Sequence, residues 1–240
     1  MSKGQLVYSG KAKELYSTSE PDVLQVVYLD QATALNGLRK DQISGKGQLN
    51  NQITSLVFEY LSEQGIDNHF IKALSPNEQL VKKIKMIPLE VVVRNVATGS
   101  FVKKFAAVEG TVLAPLIEFY YKNDALDDPL MNDAHVEVLG LATAEQVAQI
   151  KEQTLALNQA LITLFKSIEL TLVDFKVEYG LTSSGEILLA DEITPDTCRL
   201  WDLKTGKSLD KDVYRKETGD LIGVYEEVLR RLERALTKNN

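Results

Sequence analysis

The chain has 240 residues, of which 44% are hydrophobic and 25% are charged, and its net charge is −7. These values are typical of a soluble globular protein with one large domain or two small ones, and they argue against nonspecific binding to nucleic acid. No apolar run reaches the ~18 residues of a membrane span, and the N-terminus has no secretory segment. The single cysteine, Cys198, excludes an intrachain disulfide and fits a reducing cytoplasm, and two histidines are too few for a histidine-based metal site.

The N-terminal part of the chain predicts three strands, at residues 5–9, 14–17 and 23–29. The turn between the first two contains Gly10, Lys11 and Lys13. A glycine lets the backbone approach a ligand closely, and two lysines beside it can meet phosphate groups. An exposed hairpin tip explains the same residues, so the turn alone does not decide between these interpretations.

Residues 36–48 are polar and contain several glycines, which predicts a mobile loop. A helix follows, and Gly65 fits its C-terminal end. One face of this helix is apolar and is predicted to belong to the core; it consists of Leu49, Ile53, Leu56, Val57, Tyr60 and Leu61.

Residues 79–86 and 89–96 predict two strands joined at Ile87 and Pro88. Arg94 lies in the second strand, and it needs an anionic partner because a buried, unpaired arginine costs several kcal/mol. After Gly99, a short helix is predicted to run to residue 108. Ser100 at its start fits a helix cap or an anion site, and the two roles are compatible.

The rest of the chain predicts a strand at residues 115–121, an acidic loop at 122–129 that matches no EF-hand, and a long core helix at 144–168. Thr143 and Gln146 form a capping box at the start of that helix. A C-terminal amphipathic helix has the apolar face Leu221, Tyr225, Val228, Leu232 and Leu236. This order predicts an α+β fold with two lobes, an antiparallel-sheet lobe at residues 1–87 and an α+β lobe at 88–240. The cleft between the lobes is the expected ligand site.

The strand at residues 172–180 is the most informative segment. Asp174, Lys176 and Glu178 alternate with apolar residues and therefore share one face, about 7 Å apart. A second strand-like run, residues 186–192, follows a short turn. If the hairpin closes around residues 183 and 184, Lys176 faces Asp191, and Glu178 is its diagonal neighbour.

Two carboxylates and a lysine on one hairpin suit a magnesium nucleotide. Mg²⁺ often takes one or two carboxylates together with phosphate oxygens, and lysine neutralises phosphate charge. A solvated hairpin with cross-strand salt bridges is the alternative interpretation, and a one-residue bulge would change the register.

Several motifs occur in order along nearly the whole chain, at residues 8–13, 45–51, 90–95, 99–100, 122–124 and 128–129. The most specific are LVDFKVEYG at residues 172–180, DEITPD at 191–196 and RLWD at 199–202. Together they resemble the SAICAR synthetase family of purine biosynthesis. Cys198, before the last motif, departs from the expected small or hydroxylated residue and is interpreted as a tolerated variant rather than a nucleophile.

The resemblance implies an ATP-dependent amide-forming ligase that joins L-aspartate to carboxyaminoimidazole ribotide (CAIR) and releases SAICAR, ADP and phosphate. It also implies a kinase-like fold related to ATP-grasp, with ATP between the lobes, and a homodimer. A carboxylate is a poor electrophile, so ATP would first convert it to an acyl phosphate. Bringing the two anions together would require Mg²⁺ and cationic side chains.

That reaction suggests a role for each residue of the motifs. The expected metal ligands are Glu178 and Asp191, and Lys176 is expected at the reacting carboxylate or γ-phosphate. The expected ATP-binding residues are Lys11, Lys13, Lys82 and the backbone near Met86. The expected ribotide-binding residues are Arg94, Ser100, Asp196 and Arg199. Candidates for aspartate binding and loop closure are Lys46, Lys122 and Asp128. The base is Asp174, Glu90 or the phosphate itself.

Two rival functions remain at this level. A small-molecule kinase with the same fold would use the same metal hairpin with a hydroxyl acceptor. A non-catalytic nucleotide-binding regulator would not need to keep Lys176, Glu178 and Asp191 together with Arg94 and Arg199.

Overall fold

The first half of the chain forms an antiparallel sheet and one long helix, in a computed structural model that describes residues 3–34 and 39–237. Its elements are β1 (Leu6–Ser9), β2 (Lys13–Ser17), β3 (Val23–Tyr28), β4 (Gln31–Ala34), β5 (Arg39–Gln42), α1 (Lys46–Glu63), β6 (Phe70–Ser75) and β7 (Glu78–Lys82). The strand order of the sheet is β1-β2-β3-β7-β6, and β4 and β5 form a separate hairpin.

The second half forms a larger sheet and the helices that cover it. Its elements are β8 (Lys85–Met86), β9 (Leu89–Val96), α2 (Gly99–Phe105), β10 (Val112–Tyr121), a 3₁₀ turn (Asp124–Leu126), β11 (Leu130–Met131), α3 (Asp133–Val138), α4 (Ala144–Ser167), β12 (Leu170–Leu181), β13 (Ile187–Ala190), β14 (Cys198–Asp202), α5 (Asp212–Arg215) and α6 (Leu221–Leu236). The sheet has the order β11-β10-β9-β12-β13, and β12 also pairs with β14 and β8. Strand β12 is therefore the centre of this half.

The main hydrophobic core lies between the larger sheet and helices α1, α4 and α6. The helix faces predicted from the sequence are buried or packed against this core, because their apolar residues recur every three or four positions. A smaller core of Leu24, Val26, Tyr28 and Val81 supports the N-terminal sheet. No helix in the described part of the chain is long and apolar enough to cross a membrane. The predicted α+β fold is confirmed.

The capping box at the start of α4 is confirmed. The Thr143 hydroxyl accepts a hydrogen bond from the Gln146 amide, and the Gln146 side chain accepts one from the Thr143 amide, at 3.2 and 2.9 Å. Gly65, with φ at 77°, follows the C-terminal end of α1, where a left-handed residue is common. The start of α4 and the end of α1 are both set by residues at that point of the chain, which is why the sequence predicts them.

The predicted strand at residues 79–86 is wrong as one element. It divides into β7, which belongs to the N-terminal sheet, and β8, which pairs with β12 in the larger sheet. The chain crosses between the sheets at Lys83 and Ile84. Gly180 in β12 permits this crossing, because a Cβ there would lie 2.7 Å from the Ile84 side chain. The predicted boundary between lobes at residue 87 remains a prediction.

The predicted mobile loop at residues 36–48 is wrong for residues 39–42 and 46–48. Residues 39–42 form β5 and α1 begins at Lys46, whereas residues 36–38 lie outside the described part of the chain. The start of α1 is held by Asp30, whose carboxylate accepts bonds from the amides of Gly45 and Gly47, at 3.1 and 2.9 Å. This cap comes from 15 residues earlier, so local sequence could not predict it.

The predicted cap at Ser100 is also wrong. The N-cap of α2 is Thr98, which has no side-chain capping bond, and the Ser100 hydroxyl accepts a bond from Arg94 instead. The helix ends at Phe105 rather than near residue 108, because Ala106 adopts a left-handed conformation with φ at 50°.

The predicted register of the β12–β13 hairpin is wrong by one residue. Glu178 pairs with Ala190, not with Leu189. The Thr182 amide donates to the Glu186 carbonyl, so the turn between them contains three residues rather than two. Gly185, with φ at 89°, supplies the left-handed residue of this turn. The turn, not the alternation of the strand, sets this register.

We predict that His69 makes the protein less stable below about pH 6.5. Burial, with a smaller contribution from nearby Lys13, lowers the pKa of His69 to about 3. The unfolded chain takes up a proton that the folded chain does not, so stability falls by about 2 kcal/mol between neutral pH and pH ~5. Urea unfolding of His69→Phe should show this part of the pH dependence removed.

The exposed histidine provides the control for that experiment. His135→Gln should retain the wild-type pH dependence, because His135 lies at the exposed start of α3. Parallel stability curves for the wild type and His69→Phe would contradict the assignment.

Candidate active site

The polar face of β12 is buried against neighbouring strands rather than solvated. Asp174 and Glu178 are 5% and 3% exposed, and the intervening apolar residues point into the core. Asp174 pairs with Arg94 of β9 on one side and with Arg199 of β14 on the other. Buried charges of this kind require partners, so each must be matched by a neighbouring element.

Lys176 connects the carboxylates at the end of β12. Its Nζ donates to Glu178 at 2.9 Å and to Asp191 at 2.5 Å, and it lies 3.6 Å from Glu90. Lys122 donates to both oxygens of Glu178, at 2.5 and 2.7 Å. We call these five residues the β12 cluster.

Mutual attraction favours the charged forms of Asp191 and Lys176 in the β12 cluster. Burial alone would raise the pKa of Asp191, but Lys13 and Lys176 hold it well below its usual range. Burial alone would lower the pKa of Lys176, but Asp191, Glu178 and Glu90 hold it well above its usual range. The alternative prediction is a hairpin with cross-strand salt bridges in contact with solvent. The salt bridges are present, but the prediction that they are solvated is wrong.

The β12 cluster fits a magnesium ion bound together with a phosphate ligand. Glu178 and Asp191 bond to the same nitrogen of Lys176, so their carboxylates lie close enough to share a small cation. Within residues 3–34 and 39–237, no group of three or more acidic, histidine or cysteine side chains is placed to hold a metal. Mg²⁺ suits such a sparse donor set, because it commonly completes its shell with water and phosphate oxygens.

The lysines of the N-terminal turn face this cluster across the cleft. Lys13 forms an ion pair with Asp191, and Lys11 reaches Asp124 of the β10–β11 connection at 2.8 Å. Burial alone would lower the pKa of Lys13, but Asp191 and Glu192 raise it above its usual range. The turn is thus joined to the larger sheet, and Lys13 lies beside the proposed cation site.

The other two predicted nucleotide residues are not brought into the cluster. Lys82 lines a separate cavity of about 660 Å³ with Lys83 and the turn at residues 182–184. Met86 is 41% exposed and belongs to β8, next to Gly180. Their position at the crossing between the sheets is compatible with the rim of a nucleotide site.

Two arginines lie at the other end of the polar face. Arg94 donates to Glu118 at 2.7 Å and to Asp174 at 3.3 Å, and Arg199 donates to the same oxygen of Asp174 at 2.7 Å. The expected anionic partner of Arg94 is therefore Glu118, with Asp174. Ser100 completes the set by accepting from Arg94 at 3.1 Å.

A cavity of about 290 Å³ extends between the arginines and the β12 cluster. Its lining includes Arg94, Arg199, Ser100, Lys176, Glu90, Asp174 and Arg215. A glycine is needed at position 99, beside Arg199, because φ is 56° and a Cβ would lie 2.9 Å from the Arg199 guanidinium. The two arginines lie at one end of the cavity, and Lys176 lies at the other end.

Asp196 and Lys46 form an ion pair inside the protein. Lys46 is fully buried, and its ammonium group bonds to Asp196, which also accepts from Asn50 at 3.0 Å and from Tyr225 at 2.5 Å. Lys46 is therefore out of reach of a substrate in this structure. Asp196 lines the cavity, but its oxygens are largely used in joining α1 and α6.

The acidic loop after β10 is held by its own residues. Asp128 accepts from the Asn123 amide at 2.7 Å, and Asn123 in turn accepts from the Ala125 amide at 3.1 Å. Lys122 directly precedes this turn, and its side chain is 41% exposed although its ammonium group bonds to Glu178.

Four polar residues of the site are not predicted by the sequence patterns. Glu118 and Tyr120 support Arg94 from β10, Asp212 pairs with Arg199, and Glu192 lies beside Lys13. A local signal existed only for Glu192, which belongs to the DEITPD motif; the others reach the site through strand pairing and helix docking. Cys198 lies in the cavity wall, and burial raises its pKa, which agrees with its interpretation as a variant and not a nucleophile.

The chain is similar to known proteins over almost its whole length. The family model described as SAICAR synthetase matches residues 6–232. The phosphoribosylaminoimidazole-succinocarboxamide synthase of Enterococcus faecalis is 59% identical over 233 residues, which cover 97% of this chain and 98% of that protein. The crystal structure of the synthase from Ehrlichia chaffeensis has a TM-score of 0.93 at 44% identity and covers 95% of this chain and 98% of its own.

A SAICAR synthetase solved in complex with ADP is similarly close, with a TM-score of 0.91 at 46% identity over 94% of this chain and 96% of that one. The matches span both sheets and the whole candidate site. The chain belongs to the SAICAR synthetase family and is an ATP-dependent, amide-forming ligase of purine biosynthesis.

Proposed function

We propose that the protein condenses L-aspartate with CAIR and converts ATP to ADP and phosphate, through an acyl phosphate, to give SAICAR. The observation that supports this most is the position of Lys176, which lines the arginine cavity and also bonds to Glu178 and Asp191. A ribotide held by its phosphate in that cavity would present its carboxylate to the lysine. In line with the family resemblance, we also propose a cytoplasmic homodimer.

The arginine end of the cavity suits the ribotide phosphate. Arg199 can offer forked, charge-assisted bonds, and Ser100 adds a hydroxyl. Arg94, whose guanidinium already bonds to side chains around it, adds positive charge at the same end. Asp174 then has a positioning role, because its carboxylate accepts hydrogen bonds from the guanidinium groups of both arginines. Arg215 lies at the rim of the same cavity.

The β12 cluster suits phosphoryl transfer. Glu178 and Asp191 would hold Mg²⁺, which supplies charge neutralisation between the nucleotide and the carboxylate when it is bound. Lys176 and Lys13 would stabilise the negative charge that develops on the transferred group. The Lys122 ammonium group bonds to the Glu178 carboxylate, so it would have to move away before Glu178 could bind the cation.

Glu90 suits the proton transfer from the amine of aspartate better than Asp174. Burial raises the pKa of Glu90, which brings it nearer to neutral pH, and its carboxylate lies beside Lys176 in the cavity. Asp174 is already bonded to two arginines. We therefore propose Glu90 as the base and keep Lys122 and Asp128 as candidates for binding aspartate.

Product analysis tests the proposed reaction. ADP release should require both aspartate and the carboxylated ribotide, and the product should contain both carbon skeletons joined by an amide. ADP release with an alcohol acceptor and without aspartate would instead indicate a kinase.

We predict that Asp191→Asn lowers turnover at least about a hundredfold while the protein stays folded, because the cation loses a charged ligand. Initial rates of ADP release and a circular dichroism melt measure the two properties. Glu186→Gln, on the exposed turn of the same hairpin, is the matched control and should keep normal turnover. Near-normal turnover in Asp191→Asn would refute the cation assignment.

We predict that Arg199→Met raises the KM for the ribotide by roughly tenfold to a hundredfold and changes the KM for ATP by less than about twofold. The reason is that Arg199 lies at the proposed phosphate end of the cavity. Initial rates at varied ribotide and varied ATP separate the two constants. Arg230→Met, which removes an exposed arginine of α6, should change neither, and an increase confined to ATP would count against the assignment.

A further inference from the structure

Lys13 is held by two acidic residues that are neighbours in the sequence. Its ammonium group bonds to Asp191 and lies 3.8 Å from the Oε1 atom of Glu192. It also lies 5.6 Å from the centre of the Tyr28 ring, and the lysine side chain is only 16% exposed. A cation in this environment depends on its carboxylate partners.

The backbone is bent so that both acids can reach the same lysine. Successive side chains of an extended strand point to opposite faces, so Asp191 and Glu192 would normally diverge. Asp191 follows β13 and adopts a left-handed conformation with φ at 66°. This conformation costs a non-glycine residue roughly 1 kcal/mol, and such strain is typical of functional positions.

Glu192 has unused hydrogen-bonding capacity. Its side chain is 7% exposed, and its Oε2 atom has no hydrogen-bond partner within the described part of the chain. A buried oxygen without a partner is costly, so a carboxylate kept in this state calls for an explanation. Asp196 and Lys46 are the further charged groups that act on it.

We propose that Glu192 is a positioning residue that keeps Lys13 in the cleft when Asp191 turns to the cation. This inference rests on the proposed function, in which Mg²⁺ takes Asp191. Among the described residues, the acids within ion-pair distance of Lys13 are Asp191 and Glu192. When Asp191 is shared with a divalent cation, Glu192 is the remaining counter-ion that orients Lys13 toward the nucleotide phosphates.

Binding of ADP to the full-length protein tests this role without turnover. Calorimetric titrations are made with saturating Mg²⁺ and with EDTA in its place. Glu192→Gln should weaken ADP binding about tenfold with Mg²⁺ and less than about twofold with EDTA, because Lys13 keeps Asp191 when no cation is present. An equal loss under both conditions, or no loss under either, would overturn the inference and leave the cation site itself intact.

A second variant shows whether Glu192 acts through Lys13. In a Lys13→Met background, adding Glu192→Gln should cause no further loss of Mg-ADP affinity, whereas a residue acting independently would add its full effect. The comparison of Lys13→Met with the double variant can also be made if Glu192→Gln does not fold alone, because the double variant removes the positive charge and the negative charge together. A further tenfold loss in the double variant would contradict the proposal. Wild-type ADP affinity that does not depend on Mg²⁺ would overturn both the cation site and this role.

Discussion

The ammonium group of Lys176 has carboxylates around it from β9, β12 and the end of β13, and the arrangement of the site depends on this group. Glu178 is 3% exposed and the Asp191 side chain is 9% exposed, and leaving either of them unpaired would cost several kcal/mol. Strand β12 can therefore carry charge on its polar face because Lys176 lies between two acids and neighbouring elements supply further cations. The same arrangement leaves two carboxylates close together, which suits the binding of a magnesium nucleotide.

The fold supplies this charge pattern by placing β12 at the centre of the larger sheet. The apolar side chains of β12 form the core with α4. The polar side chains on its other face contact those of the paired strands β9 and β14. Arg94 and Arg199 then meet at Asp174, about 7 Å along the strand from Lys176. The proposed phosphate site and the proposed phosphoryl-transfer site thus share strand β12. The N-terminal sheet closes the cleft by bringing Lys13 to Asp191.

Much of this could be predicted from the sequence, because β12 alternates strictly and the helices have regular apolar faces. Asp191 was found as a partner of Lys176 although the predicted register was wrong by one residue; the left-handed backbone at Asp191 brings its carboxylate to the lysine. Contacts between distant segments were not predictable. The cap of α1 by Asp30 and the bond from Tyr225 to Asp196 depend on how the elements pack, and Lys46 was consequently expected in contact with substrate.

The most direct test is the position of the cation itself. Crystals grown with ADP and Mn²⁺ in place of Mg²⁺ allow the metal to be located by its anomalous scattering. The account predicts a peak between the carboxylates of Glu178 and Asp191, with the Lys122 ammonium group displaced from Glu178. A peak elsewhere, with Lys122 and Lys176 still bonded to those carboxylates, would contradict it.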